Sequence, residues 1–230
     1  MTVTTKLVLK DMPTTGLTGI GGEGGGWIGD SDIDFLVEAT GTSAPHEVLN
    51  INATRDQFTV TKGTNGVFVF VPNNVDDSII TTKDVERVVF NDKALALDVN
   101  GPAGEIYALL AAGLGLSDVT SELIGIGLAL QDVGKADTEI AQILLNSSLY
   151  KADALGTSNE TFVKHVYKNI TGQTISWADL TMYTGWLDSG AWTQAQLLEA
   201  ASNLTSFRDA PYINLVGMVD TGIEYTSFPL

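Results

Sequence analysis

The chain has 230 residues, of which 28 are acidic and 12 are basic, so its formal net charge is −16 at neutral pH. So acidic a chain excludes nucleic acid as a natural partner, because a phosphate backbone binds basic patches. Cysteine is absent, which excludes disulfides and thiolate metal sites. No apolar run approaches the roughly 20 residues that a bilayer-spanning helix needs, so the protein is not expected to span a membrane.

The first 100 residues carry the patterns that are typical of short strands. Residues 57–61 alternate polar and apolar side chains, and residues 67–71 form a continuous apolar run. The intervening Lys62-Gly-Thr-Asn-Gly66 has the composition of a turn, so the two segments predict a β-hairpin. Further strands are predicted at residues 2–9, 33–39, 46–52, 78–82 and 87–90. Together they indicate a small antiparallel β-domain over residues 1–100.

After residue 101 the apolar residues recur at helical spacing. Helices are predicted at residues 104–116, 117–133, 137–149, 160–170, 177–187 and 194–204. Start signals precede four of them, at Ser117, Asp137, Ser158 and Ser176. Gly125 and Gly127 fall inside one predicted helix, where small residues are expected to permit close helix packing. The sequence therefore predicts an α+β protein with an α-helical domain over residues 101–230.

Three aspartates at alternate positions, Asp30, Asp32 and Asp34, are the first metal candidates. Their crowded negative charge would be relieved by a hard cation such as calcium, which binds oxygen ligands. An EF-hand is rejected, because Phe35 occupies its glycine position and Gly41 its bidentate glutamate position. In a strand the three aspartates would lie on one face, so a solvated acidic face is the alternative interpretation.

A second candidate is the turn that contains Asp98 and Asn100. A turn at this point could gather both side chains and backbone carbonyls around calcium. The alternative is that they hold the turn and cap the next helix without any metal, which is a common role of Asx residues.

Only two histidines, His46 and His165, are present. A histidine-rich zinc site is therefore excluded, and no coherent catalytic constellation can be assembled, so we do not expect an enzyme. His165 is expected to flank a helical core and His46 to lie at the surface. The aromatic residues of the helical half are expected to fill its core, with a sugar-binding platform as the alternative; they are Tyr167, Trp177, Tyr183, Trp186 and Trp192.

Several stretches resemble one bacterial arrangement. Residues 58–61, 67–71 and 84–98 are similar to the β-segment that flanks calcium-binding RTX repeats in exported proteins. Residues 161–172, together with Trp177, residues 186–190 and residues 197–203, resemble a helical domain of unknown function that often accompanies RTX regions. The glycine-rich start, residues 21–34, resembles at most a degenerate remnant of the repeat, too short to build a long β-roll.

This resemblance implies an exported, calcium-assisted protein of the bacterial surface or extracellular matrix. The segment 214–225 resembles the end of type I secreted proteins, and the first ten residues lack the pattern of a Sec signal peptide. Export directed by the C-terminus, without an N-terminal signal, is therefore expected. The expected function is structural, with subunits that associate into a surface layer or filament. The alternative is a surface adhesin or glycan-binding module that uses exposed aromatics such as Trp27 and Trp192.

Overall fold

The computed structural model describes the backbone of residues 35–38, and residues 47–227 in full. The chain divides into two compact units, residues 1–92 and residues 93–230. The predicted domain boundary lies near residue 100, so the two divisions differ by one short strand, β7 (Ala94–Ala96).

The first unit contains six described strands. They are β1 (Phe35–Glu38), β2 (Val48–Asn50), β3 (Phe58–Lys62), β4 (Val67–Pro72), β5 (Ile80–Lys83) and β6 (Arg87–Val89). Four of them form a sheet in the order β1-β5-β4-β3, in which β1 and β5 are parallel and the other pairs are antiparallel. Strands β2 and β6 form a second, parallel pair. The predicted α+β class is confirmed, and the strand pairing is mixed.

The predicted hairpin is confirmed in β3 and β4. Its register pairs Lys62 with Phe68, and the turn places Asn65 and Gly66 at φ values of 57° and 75°. Both are left-handed conformations that asparagine and glycine adopt at the lowest cost, so the local sequence decides this turn. Phe70 of β4 is fully buried, and its ring centroid lies 6.2 Å from that of Phe90.

The second unit is helical, with a small antiparallel pair formed by β7 and β8 (Ile223–Tyr225). Its helices are α1 (Pro102–Leu114), α2 (Ser121–Asp132), α3 (Asp137–Asn146), α4 (Ser148–Asp153), α5 (Asn159–Thr171), α6 (Trp177–Asp188), α7 (Gln194–Ser202), α8 (Thr205–Arg208) and α9 (Leu215–Met218). Helix α1 is central, because α2, α3, α4, α5 and α7 all pack against it. Within the described part of the chain, no helix has the length and apolar character that crossing a membrane requires.

Two predicted helices are shorter in the structure. The helix predicted at 117–133 begins only at Ser121, since Thr120 rather than Ser117 is its N-cap and accepts a hydrogen bond from the Leu123 amide at 3.3 Å. The helix predicted at 137–149 ends at Asn146, because Ser147 has an extended backbone and caps α4. In both places a side-chain oxygen competes with the helical continuation of the backbone.

Close packing at Gly127, which the sequence predicts, is confirmed. A Cβ atom added to Gly127 would lie 2.5 Å from Cγ2 of Ile106 on α1. Because real Cβ contacts are longer than this, α1 and α2 can approach each other only with glycine at this position.

Candidate binding surface

Helices α5 and α6 form an antiparallel pair whose ends are set by local signals. Ser158 and Ser176 cap their N-termini, each accepting a hydrogen bond at 3.1 Å from the amide three residues ahead, as the sequence predicts. Gly172 ends α5 in the left-handed conformation, at a φ of 70°. Asn159, at the start of α5, donates a hydrogen bond at 2.8 Å to Asp188, at the end of α6.

The aromatic side chains of α6 are not in the core. Trp177 is 81% exposed, and Trp186 and the following Trp192 are each 38% exposed. Only Leu180 and Leu187 of α6 are buried. The prediction that these tryptophans fill the helical core is therefore wrong. The physical reason is that α6 packs mainly on α5 at the edge of its unit, so only one side of α6 finds a neighbour.

Trp186 and Trp192 form a stacked pair on one side of α6. Their ring centroids lie 6.2 Å apart with an interplanar angle of 26°, and Tyr183 packs edge-on against Trp186 at 5.2 Å. The turn at Gly190, with a φ of 73°, brings the Trp192 amide to the Trp186 carbonyl at 3.2 Å. This tryptophan pair is a rigid, partly exposed aromatic surface.

Trp177 lies on the other side of α6, because nine residues at about 100° each place it half a turn away from Trp186. It borders an open groove between α5 and α6, which we call the Trp177 groove, with a volume of about 400 Å³. The groove is lined by Ser158, Asn159, Glu160, Trp177, Leu180, Thr181, Thr184 and Asp188. Leu180 is its buried apolar member, and most of the other lining side chains are polar.

Most polar groups of the Trp177 groove already have partners. The hydroxyls of Thr181 and Thr184 donate to carbonyls one turn back on α6, at 2.9 and 2.5 Å. Asn159 is held between Asp188 and Gln194, each contact being 2.8 Å long. Because each of these threonine hydroxyls already donates its single proton to a carbonyl, it can only accept further hydrogen bonds.

A second groove, with a volume of about 460 Å³, lies on the other side of Trp177. Its lining includes Lys164 and Lys168, together with the apolar Ile175 and Leu180. Lys164 pairs with Glu160 at 2.5 Å, and Lys168 donates to the Gly172 carbonyl at 2.5 Å. Trp177 therefore lies between the second groove, which Lys164 and Lys168 line, and the Trp177 groove, whose charged lining residues are acidic.

A polar cluster joins α5 to α1 and α4. The imidazole Nε2 of His165 donates to the Gly113 carbonyl at 2.7 Å and lies 3.3 Å from Asp153. Asn169, one turn later, donates to the Ala112 carbonyl at 3.1 Å. These contacts satisfy carbonyls in the last turn of α1, which lack helical partners. His165 flanks the helical core, as predicted.

Tyr150 packs edge-on against His165, with ring centroids 5.6 Å apart. Its ring is buried, and burial raises the pKa of the Tyr150 hydroxyl, with a smaller contribution from the charge of Asp153. A hydroxyl held in its neutral form is a poor nucleophile and a poor base. The geometry of this cluster favours a structural role.

An acidic cluster lies at the start of α1 and α3. Burial is the main cause that raises the pKa of Glu105, and the charge of Asp137 adds to it, while Arg208 at 4.0 Å opposes it. Burial also raises the pKa of Asp137, against a hydrogen bond of 3.1 Å from Gln131. Burial first, and neighbouring carboxylates second, therefore make the ionised forms of Glu105 and Asp137 less favourable.

The predicted metal ligands divide into two sets. Asp98 stabilises the turn before α1, because its carbonyl accepts from the Gly101 amide at 2.8 Å and its carboxylate from the Ala103 amide at 3.3 Å, while Asn100 is exposed. Asp30, Asp32 and Asp34 lie outside the described residues, as does His46. Among residues 35–38 and 47–227, no group of three histidine, aspartate or glutamate side chains could hold a metal ion. Calcium binding stays a prediction.

Residues 141–208 match a family described as a domain of unknown function, DUF4214. No curated protein and no solved structure matches the chain. The match begins within α3 and ends with α8, so the Trp177 groove and the tryptophan pair both lie inside it.

Sequence reasoning missed the Trp177 groove. One signal could have indicated an exposed surface on α6: its apolar residues are not confined to the single stripe that faces a core.

Proposed function

We propose that this chain is part of an exported bacterial cell-surface or extracellular-matrix protein whose copies associate into a surface layer or filament, assisted by calcium. The observation that carries the proposal is Trp177, which is 81% exposed beside an open groove. Burying an indole in a second molecule removes about 150–250 Å² of surface from contact with water, which is the usual buried area of an aromatic side chain. The resemblance to RTX-associated exported proteins supports the cellular location.

Calcium has a physical role in this proposal. A net charge of −16 opposes association of like chains, and a divalent cation would screen or neutralise part of it. The ligands that we propose are Asp30, Asp32 and Asp34, with Asp98 and Asn100 as a second group. Around Glu105, neighbouring carboxylates add to the effect of burial in raising its pKa, so further negative charge is unfavourable at this place.

Sedimentation velocity and negative-stain microscopy of the full chain, in millimolar calcium and in chelator, test the assembly. We expect polymers in calcium and smaller species in chelator. A monodisperse monomer in both conditions would overturn the proposal.

Melting curves test the proposed role of calcium. A ligand at 100 times its dissociation constant stabilises the folded state by about 2.7 kcal/mol, so the melting temperature should rise by several degrees in calcium. Asp32→Asn together with Asp34→Asn should remove most of that rise. An unchanged melting curve in chelator would show that the three aspartates are a solvated acidic face.

A second candidate function, glycan binding by a surface adhesin, is favoured by the tryptophan pair. Stacked indoles with partly exposed faces suit the apolar face of a sugar ring. A glycan array followed by calorimetry should give a hit that Trp192→Ala abolishes and Trp177→Ala preserves. An array without hits would count against this candidate and leave self-association unaffected.

A further inference from the structure

The α6 side of the Trp177 groove is a row of hydrogen-bond acceptors. The hydroxyls of Thr181 and Thr184 already donate to carbonyls of α6, so each can only accept from a ligand. Asp188 accepts one hydrogen bond, from Asn159 to Oδ1, and its Oδ2 atom has no partner within the described part of the chain. A ligand that lies along α6 therefore meets three acceptors in succession, none of which has a proton to donate.

Asp188 is also the charged side chain of this groove that lacks an ionic partner. Glu160, the other acidic side chain in the lining, pairs with Lys164 at 2.5 Å. Asp188 is exposed and forms no ion pair among the described residues. The described lining of the groove contains no basic side chain. The charge of the groove therefore favours a positively charged ligand.

The acceptors are too widely spaced for a single cationic group. Together with the exposed Trp177 indole they fall within a sector of about 60° around α6, at about 100° per residue. At about 1.5 Å per residue, Thr181 and Asp188 lie about 10 Å apart along the helix axis, and Trp177 lies about 6 Å beyond Thr181. A linear molecule with two separated cationic groups can contact both ends of this row at once.

We propose that the Trp177 groove binds a linear diamine or polyamine. One ammonium group donates to Asp188 and Thr184, and the alkyl chain runs along the groove beside Leu180. The second ammonium group donates to Thr181 and lies next to the Trp177 indole, where a cation is attracted to the face of the ring. An ammonium group has donors and no acceptor, which is what a row of acceptors requires. The groove volume, about 400 Å³, is in the range of small-molecule sites.

Other ligand classes fit this row less well. Each hydroxyl of a neutral sugar brings acceptor lone pairs as well as a donor, and the sugar leaves the charge of Asp188 unneutralised. A metal ion lacks ligands, because no group of three histidine, aspartate or glutamate side chains in the described ranges could hold one. The lysine side chain of another protein carries one ammonium group, so it reaches only one end of the row.

The inference does not depend on the proposed self-association. Trp177 borders both grooves, so the amine uses one side of the indole and the other side stays available for a second molecule. Asp188 lines the Trp177 groove and is not among the residues that line the second groove. Different variants therefore test the two proposals.

A series of ligands tests the site in the full, unmodified chain. Hexamethylenediamine has two ammonium groups, and hexamethonium has two quaternary ammonium groups without an N–H donor. Hexylamine and N-acetyl-lysine amide each have one ammonium group. By isothermal titration calorimetry in calcium-free buffer, we expect hexamethylenediamine to bind at least about threefold more tightly than the other three.

The outcomes of this series are decisive without any variant. Equal affinity for hexamethonium would show a general attraction of cations to an acidic chain and would overturn the site. Equal affinity for N-acetyl-lysine amide would assign the groove to the lysine side chain of a protein and would overturn the polyamine.

Variants of the row locate the site. Asp188→Asn removes the charge but keeps an oxygen for the hydrogen bond from Asn159, so the fold should be preserved. We expect Asp188→Asn and Trp177→Ala each to weaken hexamethylenediamine binding by about three- to tenfold. Thr184→Val removes an acceptor without changing the charge, and it should weaken binding by a smaller factor.

The matched controls lie outside the groove. Asp118→Asn removes the same charge from the same unit, and Asp118 is also exposed and accepts a side-chain hydrogen bond, from Ser117 at 3.3 Å. Trp192→Ala removes a partly exposed indole that does not line the groove. We expect little change in either control. An equal loss of affinity in Asp118→Asn, or full affinity in Trp177→Ala, would overturn the site.

Discussion

Helices α1 and α6 are similar in sequence character and opposite in environment. Both consist mostly of apolar residues spread over more than one stripe, although Thr181, Thr184 and Asp188 make the groove side of α6 partly polar. In α1, 11 of 13 residues are buried, whereas only Leu180 and Leu187 of the 12 residues of α6 are buried. An apolar helix needs other protein surfaces to cover its side chains, but its sequence does not say which surfaces those are. In α6 that need is met on one side only, and this is why we assign it a partner.

The largest expected effect is in α1. Leu109 is 1% exposed, so Leu109→Ala removes a fully buried side chain and leaves a cavity. We expect the free energy of unfolding to fall by about 2–5 kcal/mol in chemical denaturation. A loss below about 1 kcal/mol would contradict the central position of α1.

Two glycine-to-alanine substitutions compare the packing against α1 with the packing around α6. In Gly127→Ala the new methyl group would lie 2.5 Å from Ile106 of α1, and we expect a loss of about 1–3 kcal/mol in unfolding free energy. In Gly185→Ala on α6 nothing lies within 4 Å of the new methyl group, so the better helix propensity of alanine should stabilise the fold by up to about 1 kcal/mol. If both substitutions changed the free energy of unfolding in the same direction, the difference in packing around Gly127 and Gly185 would be contradicted.

A smaller effect is expected from pH, through Glu105 in the first turn of α1. Burial first, and the charge of Asp137 second, raise the pKa of Glu105 above its ordinary value of 4.5. The stability that this group contributes is therefore fully present below pH 4.5 and is lost as pH rises through its raised pKa. Glu105→Gln should raise the melting temperature at pH 7. The gain should vanish below pH 4, because the glutamate of the unmodified protein is then protonated and as neutral as the glutamine of the variant.

The smallest expected change in stability is at Trp177. Trp177→Ala should alter the free energy of unfolding by no more than about 0.5 kcal/mol, because the indole is 81% exposed. The same substitution should weaken self-association, so this residue separates binding from folding. A loss as large as that of Leu109→Ala would show that the indole is buried within its own chain.

The sequence predicts the elements closest to their observed bounds where the signals are local. Helices α5 and α6 were predicted at 160–170 and 177–187 and are found at Asn159–Thr171 and Trp177–Asp188. Ser158, Ser176 and Gly172 set these bounds through hydrogen bonds that span three or four residues. The pairing of β7 with β8 was not predicted, since Ala94 and its partner Tyr225 are far apart in sequence and both strands are short.

The candidate surface was predicted only in part. Trp177, Trp186 and Trp192 were recognised as a group, but they were assigned to the core because aromatic residues are usually buried in helical units. Nothing in the spacing of these residues shows that α6 lies at the edge of its unit. The Trp177 groove exists only because α5 and α6 lie side by side, and no local pattern of either helix predicts it.

Local residue patterns were sufficient for the ends of α5 and α6, the β3–β4 hairpin and the α+β class. These features depend on hydrogen bonds and backbone conformations of residues that are close along the chain, such as Asn65 and Gly66 in the hairpin turn. Only the tertiary structure decided which apolar side chains are covered. Leu109 and Trp177 both belong to apolar helices, but burial is set by the elements that pack against each helix, and those come from distant parts of the chain.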